Sequence, residues 1–136
     1  MTTDLSAYFE EVEARFENAH DLDLGLEEEF QILDPETLAL TGAFEELRDS
    51  AAPRLRQRIA GELLTSEIEV STPRTLHFGQ AAKQLLLNRA ELFAHADDRG
   101  YALGCTGTHP FSGWKDQEII DTPHYRLVEE RLKYVA

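Results

Sequence analysis

The segment Leu24-Gly25-Leu26-Glu27-Glu28-Glu29-Phe30-Gln31-Ile32-Leu33 alternates with a period of two. In an extended chain that spacing sends Leu24, Leu26, Glu28, Phe30 and Ile32 to one face, and Gly25, Glu27, Glu29, Gln31 and Leu33 to the other. Asp34-Pro35-Glu36-Thr37 reads as the turn that ends the run. Three consecutive glutamates are unusual there, because strand interiors disfavour Glu. Glu27 and Glu29 share a face with carboxylates ~7 Å apart. Such a pair suits a hard divalent cation, which wants oxygen ligands. A solvated outer face of an edge strand would carry the same pattern.

A second strand is expected from Leu63 to Thr72, closed by Pro73. Ile68 and Val70 point one way, and Glu67, Glu69 and Ser71 the other. Two strands with acidic pairs are costly if the pairs meet uncompensated, and a shared pair of Mg²⁺ ions would compensate them.

Around these strands the pattern is helical. Leu5, Phe9, Val12 and Phe16 mark an amphipathic helix over Asp4–Ala19, with Thr3 or Asp4 as cap. Short helices are expected over Phe44–Asp49 and from Pro53 through Ile59, with Gly61 just past the end. The longest helix runs from Thr75 to Arg99. Its expected buried stripe is Phe78, Ala82, Leu85, Leu92 and Ala96, with Arg89 as an exception, and Gly100 is the stop. Tyr101–Thr106 reads as a third strand leading into a loop with His109 and Trp114. Thr122-Pro123 opens a last helix bearing Leu127, Val128, Leu132 and Val135. The order of elements gives the class α+β.

Charge narrows the partners. The 136 residues hold 26 acids and 13 Lys or Arg, a net charge of −13, and residues 1–30 carry ten acids against Arg15 alone. That balance excludes the basic footprint of a nucleic-acid binder and adsorption to anionic lipid. No apolar run approaches the ~20 residues of a membrane span. Cys105 is the single cysteine, read as a buried thiol in a cytoplasmic protein. His109 stands alone and reads as structural. Zinc spacing, a glycine-rich phosphate loop and a nucleophile elbow are all absent.

Taken in order, Leu24–Thr37, the segment Gly61-Glu62-Leu63-Leu64-Thr65-Ser66-Glu67-Ile68-Glu69-Val70, and Gly107-Thr108-His109-Pro110-Phe111 with Trp114 and Ile120-Asp121-Thr122-Pro123-His124-Tyr125-Arg126 resemble the carboxylate-amine ligases, the type 2 glutamate-cysteine ligase family. The resemblance runs from about residue 22 to the end. It divides the chain into an N-terminal amphipathic helix (1–21) and the N-terminal part of a ligase catalytic domain (22–136). It implies part of a glutamine-synthetase-like fold, an antiparallel sheet with helices packed on one side, whose funnel holds ATP, Mg²⁺ and substrates. The implied activity is ATP-dependent: a substrate carboxylate, such as that of glutamate, is phosphorylated, and cysteine or another amine attacks the acyl phosphate.

By position the resemblance makes Glu27, Glu29, Glu69 and Glu62 metal ligands, with Glu67 as the substitute for Glu62. Glu62 is seven residues from Glu69, so a regular strand would aim the two at opposite faces; either a bulge intervenes or Glu62 precedes the strand. Tyr125 and Arg126 fall in a substrate-binding region, where Arg suits a carboxylate or phosphate, although an exposed helix-start Arg would read the same way. Family members are several hundred residues long and continue into a His-x-His metal segment, so a truncated chain is expected. The alternatives are a non-catalytic Mg²⁺-binding remnant, one that self-associates into a homo-oligomer through an open sheet edge, or a small acidic structural domain.

Overall fold

The computed structural model describes residues 5–132. Thr3, Asp4 and Val135 lie outside them. Five helices, α1 (Leu5–Glu17), α2 (Phe44–Ser50), α3 (Pro53–Arg56), α4 (Phe78–Asp98) and α5 (Pro123–Leu132), accompany four strands: β1 (Glu27–Leu33), β2 (Ile59–Ala60), β3 (Glu67–Ser71) and β4 (Ala102–Gly104). The strands form one antiparallel sheet in the order β2-β3-β1-β4. The class is α+β.

Alternation sorts the sheet as the sequence pattern requires. Phe30, Ile32, Ile68 and Val70 are buried on one face with Leu92 and Ala96 of α4, and Phe44, Leu47, Leu55 and Ile120 extend that core. Beyond β1 the pairing continues loosely. The backbones of Leu24 and Thr75 exchange hydrogen bonds of 2.8 and 2.9 Å, and Leu26 N–H donates to the Thr72 hydroxyl. The turn after β1 is an Asx turn: the Asp34 carboxylate accepts from the Thr37 N–H and hydroxyl and from the Glu36 N–H, which holds it below the usual carboxylate range.

Several expectations need correction. The helix begun at Pro53 stops at Arg56, and Ile59–Ala60 become β2, because Ile59 pairs with Val70 and is buried in the core. Gly61 is therefore no helix stop. A Cβ there would lie 2.5 Å from a Phe44 ring carbon and 2.7 Å from the Ile120 side chain, so close packing demands the glycine. Strand β3 begins at Glu67 because Leu64 is bridged instead to Ile119.

On α4 the buried line is Ala81, Asn88, Leu92 and Ala96, one step round from the expected stripe. Phe78 is 82% exposed, and Ala82 is also outside. No residue of α1 is buried. Leu127 and Leu132 of α5 are exposed as well. Cys105 is an exposed thiol, not a buried one, because it follows the end of β4 instead of lying within a paired strand.

Candidate metal centre

The face of the sheet opposite the core collects the acids. Register sets Glu29 directly across from Glu69, and Glu67 across from Gln31. On the other side of β3, Ala60 is the partner of Glu69. Glu62 lies two residues beyond Ala60, which returns its side chain to the Glu69 side. This resolves the seven-residue spacing: Glu62 precedes β3 and lies two residues past the end of β2, so no bulge is needed. One carboxylate oxygen from each of Glu29, Glu62 and Glu69 lies within 4.8 Å of the others. Glu27 lies outside that trio and acts on Glu69 through its charge.

The electrostatics of the cluster are one-sided. Glu69 is pushed up from 4.5 to about 7, first by burial, then by its hydrogen bond to Glu62, then by the charges of Glu27, Glu62 and Glu29. Glu67 is also raised, first by burial, with Glu29 and Glu62 adding to it against a backbone hydrogen bond at Leu64. Tyr125 is raised by burial and then by Glu62, Glu69 and Glu67, which places its phenol beside the acids. Its hydroxyl donates to the Gly61 carbonyl at 3.4 Å. Among the described residues no salt bridge joins Glu29, Glu62 or Glu69 to Lys or Arg.

Burial and the neighbouring acids thus favour the protonated form of Glu69. An all-oxygen donor set held together without a counter-cation fits a hard divalent ion, which would displace that proton. Zinc or copper would call for nitrogen or sulfur donors.

The remaining candidates are distributed differently. Glu28, the middle acid, turns to the core face. There Arg89 donates to both of its oxygens, and the Arg89 guanidinium lies 5.5 Å from the centre of the Phe30 ring. This accounts for an arginine on the sheet-facing side of α4. Arg126, in the first turn of α5, is exposed and pairs with Asp121, two residues ahead of the helix. Among the described residues no hydrogen bond or salt bridge ties it to the acidic trio. His109 has a structural part: its Nε2 donates to the Leu38 carbonyl at 2.9 Å, and its Nδ1 accepts from the Ser112 N–H at 3.0 Å. It straps the loop after β4 to the turn after β1, where Leu38 adopts a φ of 58°.

Two further polar residues are not singled out by the sequence pattern. Gln31 is buried on the acidic face and accepts from the Thr106 hydroxyl at 2.7 Å. Ser66 is buried, and its hydroxyl donates to the Gln117 side chain at 2.9 Å. The only hint of the first is its place two residues after Glu29; the second has none, since Gln117 is remote in sequence.

A family model described as glutamate-cysteine ligase family 2 matches residues 23–136. Two proteins of Rubrobacter xylanophilus, "Putative glutamate--cysteine ligase 2-2" and "Putative glutamate--cysteine ligase 2-3", are 38% and 36% identical to it, over 82% and 92% of this chain. "Putative glutamate--cysteine ligase 2" of Sorangium cellulosum is 39% identical over 83% of the chain. The aligned parts cover 28%, 35% and 31% of those three proteins, so the chain spans about a third of the length of its relatives.

Proposed function

The chain belongs to glutamate-cysteine ligase family 2, and from that premise we propose that it supplies the acidic, metal-holding part of an ATP-dependent carboxylate-amine ligase. The observation that carries this reading is the convergence of Glu29 of β1, Glu69 of β3 and Glu62 of the segment that follows β2. These three would hold Mg²⁺, with Glu27 and Glu67 adding negative potential around it. When bound, the ion would offset the negative charge of the triphosphate and of a substrate carboxylate. The protein's own part is positional. The paired strands keep the carboxylates aligned, and Tyr125 closes the edge near Gly61.

In the whole ligase the γ-phosphoryl group passes from ATP to the carboxylate of glutamate or a similar acid, and ADP leaves. The amine of cysteine or another amino compound then displaces phosphate from the acyl phosphate, giving the amide. On this reading the four-stranded sheet is part of a glutamine-synthetase-like funnel, formed by residues 22–136 with 1–21 as a separate helix. Arg126 is the residue to meet a substrate carboxylate or phosphate after releasing Asp121. Substrates of this class place the protein in the cytoplasm, with no nucleic-acid or membrane partner. Among the described residues no helix is long and apolar enough to cross a membrane.

Calorimetry with Mg²⁺ tests the metal site, and phosphate release with glutamate, cysteine, ATP and Mg²⁺ tests the activity. Binding that Glu69→Gln weakens by about tenfold or more supports the site. Binding without phosphate release identifies a metal-holding remnant. Absence of Mg²⁺ binding overturns the proposal.

A further inference from the structure

Helix α1 carries Leu5, Tyr8, Phe9, Val12 and Phe16 within about 100° of arc at 100° per residue, and every one is exposed, Phe16 to 83%. A surface of this kind on a soluble chain marks an interaction site. Helix α4 has a matching seam. Its inner line packs on the sheet, but Phe78, Ala82, Leu86 and Phe93 form a neighbouring stripe about 80° wide that stays open, with Leu86 68% exposed. The lengths agree: α1 spans ~20 Å and the Phe78–Phe93 seam ~22 Å.

The charges complement each other. Glu10, Glu13 and Glu17 flank the α1 stripe on one side without an ion-pair partner among the described residues, whereas Glu11 is taken by Arg15. Residues 70–90 contain no acid, and their Arg74 and Lys83 are likewise without an ion pair among the described residues. The connection permits exchange. Leu24 is fixed beside Thr75, just ahead of α4, and Leu22 holds a φ of 68° in the short link to α1. Six linking residues can reach ~20 Å.

We infer that α1 of one copy docks on the α4 seam of a second copy, reciprocally, giving a closed two-fold dimer with exchanged N-terminal arms. With ~150–250 Å² per large side chain, the exposed residues of both stripes supply on the order of 800 Å² per copy, the share each partner needs in a standard interface. This dimer depends on neither the acidic trio nor the ligase reading.

Sedimentation equilibrium of the 136-residue chain over a roughly hundredfold concentration range tests it. The expected result is a two-chain species whose dissociation constant rises about 100-fold or more in Phe9→Asp/Phe16→Asp and in Leu86→Asp. Glu13→Lys and Lys83→Glu should each weaken it, and their combination should recover part of the loss. All five positions are exposed, so unchanged circular dichroism checks that the variants fold. A monomer with α1 resistant to proteolysis shows the arm on its own α4 and overturns the exchange. A monomer with α1 readily cleaved, or a dimer indifferent to both surfaces, overturns it too.

Discussion

Arg89 and Glu28 form a two-pronged pair on the core face of the sheet, with Nε of Arg89 2.7 and 2.9 Å from the two oxygens of Glu28. Of three consecutive acids, alternation thus sends the middle one to a structural partner and leaves its neighbours on the acidic face. Arg89→Met should strand a poorly exposed carboxylate and lower the unfolding temperature. Glu28→Gln/Arg89→Met should recover part of that loss, and Mg²⁺ affinity should stay within about threefold. Thermal denaturation and calorimetry read the two effects.

Glu69 imposes a pH dependence. Its carboxyl rises from 4.5 to about 7 on folding, so between those values the folded chain binds more protons than the unfolded chain. Stability without metal should therefore fall as pH rises from 4.5 through 7, by about 1–2 kcal/mol once solvent screening is allowed for. Glu69→Gln should remove that slope. A flat stability profile in the unsubstituted protein would contradict the assignment.

Cation binding has the opposite pH dependence. On the proposed reading Mg²⁺ would displace the proton held by Glu69, so its affinity should fall as the solution is acidified below 7, by up to about tenfold per pH unit. Calorimetry in buffers of different ionisation enthalpy should show proton release at pH 6.5 that is lost in Glu69→Gln.

Gly61 faces Phe44 and Ile120 too closely for a side chain. Gly61→Ala should destabilise the protein by about 1–3 kcal/mol and shift the neighbouring Glu62, so Mg²⁺ affinity should drop with stability. Full retention of both would refute the packing argument.

Asn88 is fully buried between elements: its side-chain amide donates to the Ser71 carbonyl, and its oxygen accepts from Arg58. Asn88→Leu should cost about 2–4 kcal/mol, because the Arg58 donor and Ser71 acceptor lose their partner. Urea unfolding measures the loss.

The strand pattern was readable because a two-residue period leaves little choice: once Phe30 and Ile32 go inward, Glu27 and Glu29 must go outward. Glu69 followed by the same rule from Ile68 and Val70. Glu62 could not be placed that way, since its position depends on β2, a two-residue strand whose pairing with Val70 and Glu69 leaves no local pattern. Helices were harder to orient. On α4 two apolar stripes lie side by side, and periodicity alone does not say which one the sheet covers. His109 offered only its isolation; its partners Leu38 and Ser112 are brought to it by the loop's path.

The Glu29–Glu69 pairing makes the sheet a ruler for its own alignment. A slip of one residue between β1 and β3 would turn Ile68 and Val70 to water, drive acids among Phe30 and Leu92, and scatter the three oxygens. The geometry of the acidic trio and correct strand alignment therefore cannot vary independently. Any selection acting on the chemistry of this face also proofreads the fold that carries it.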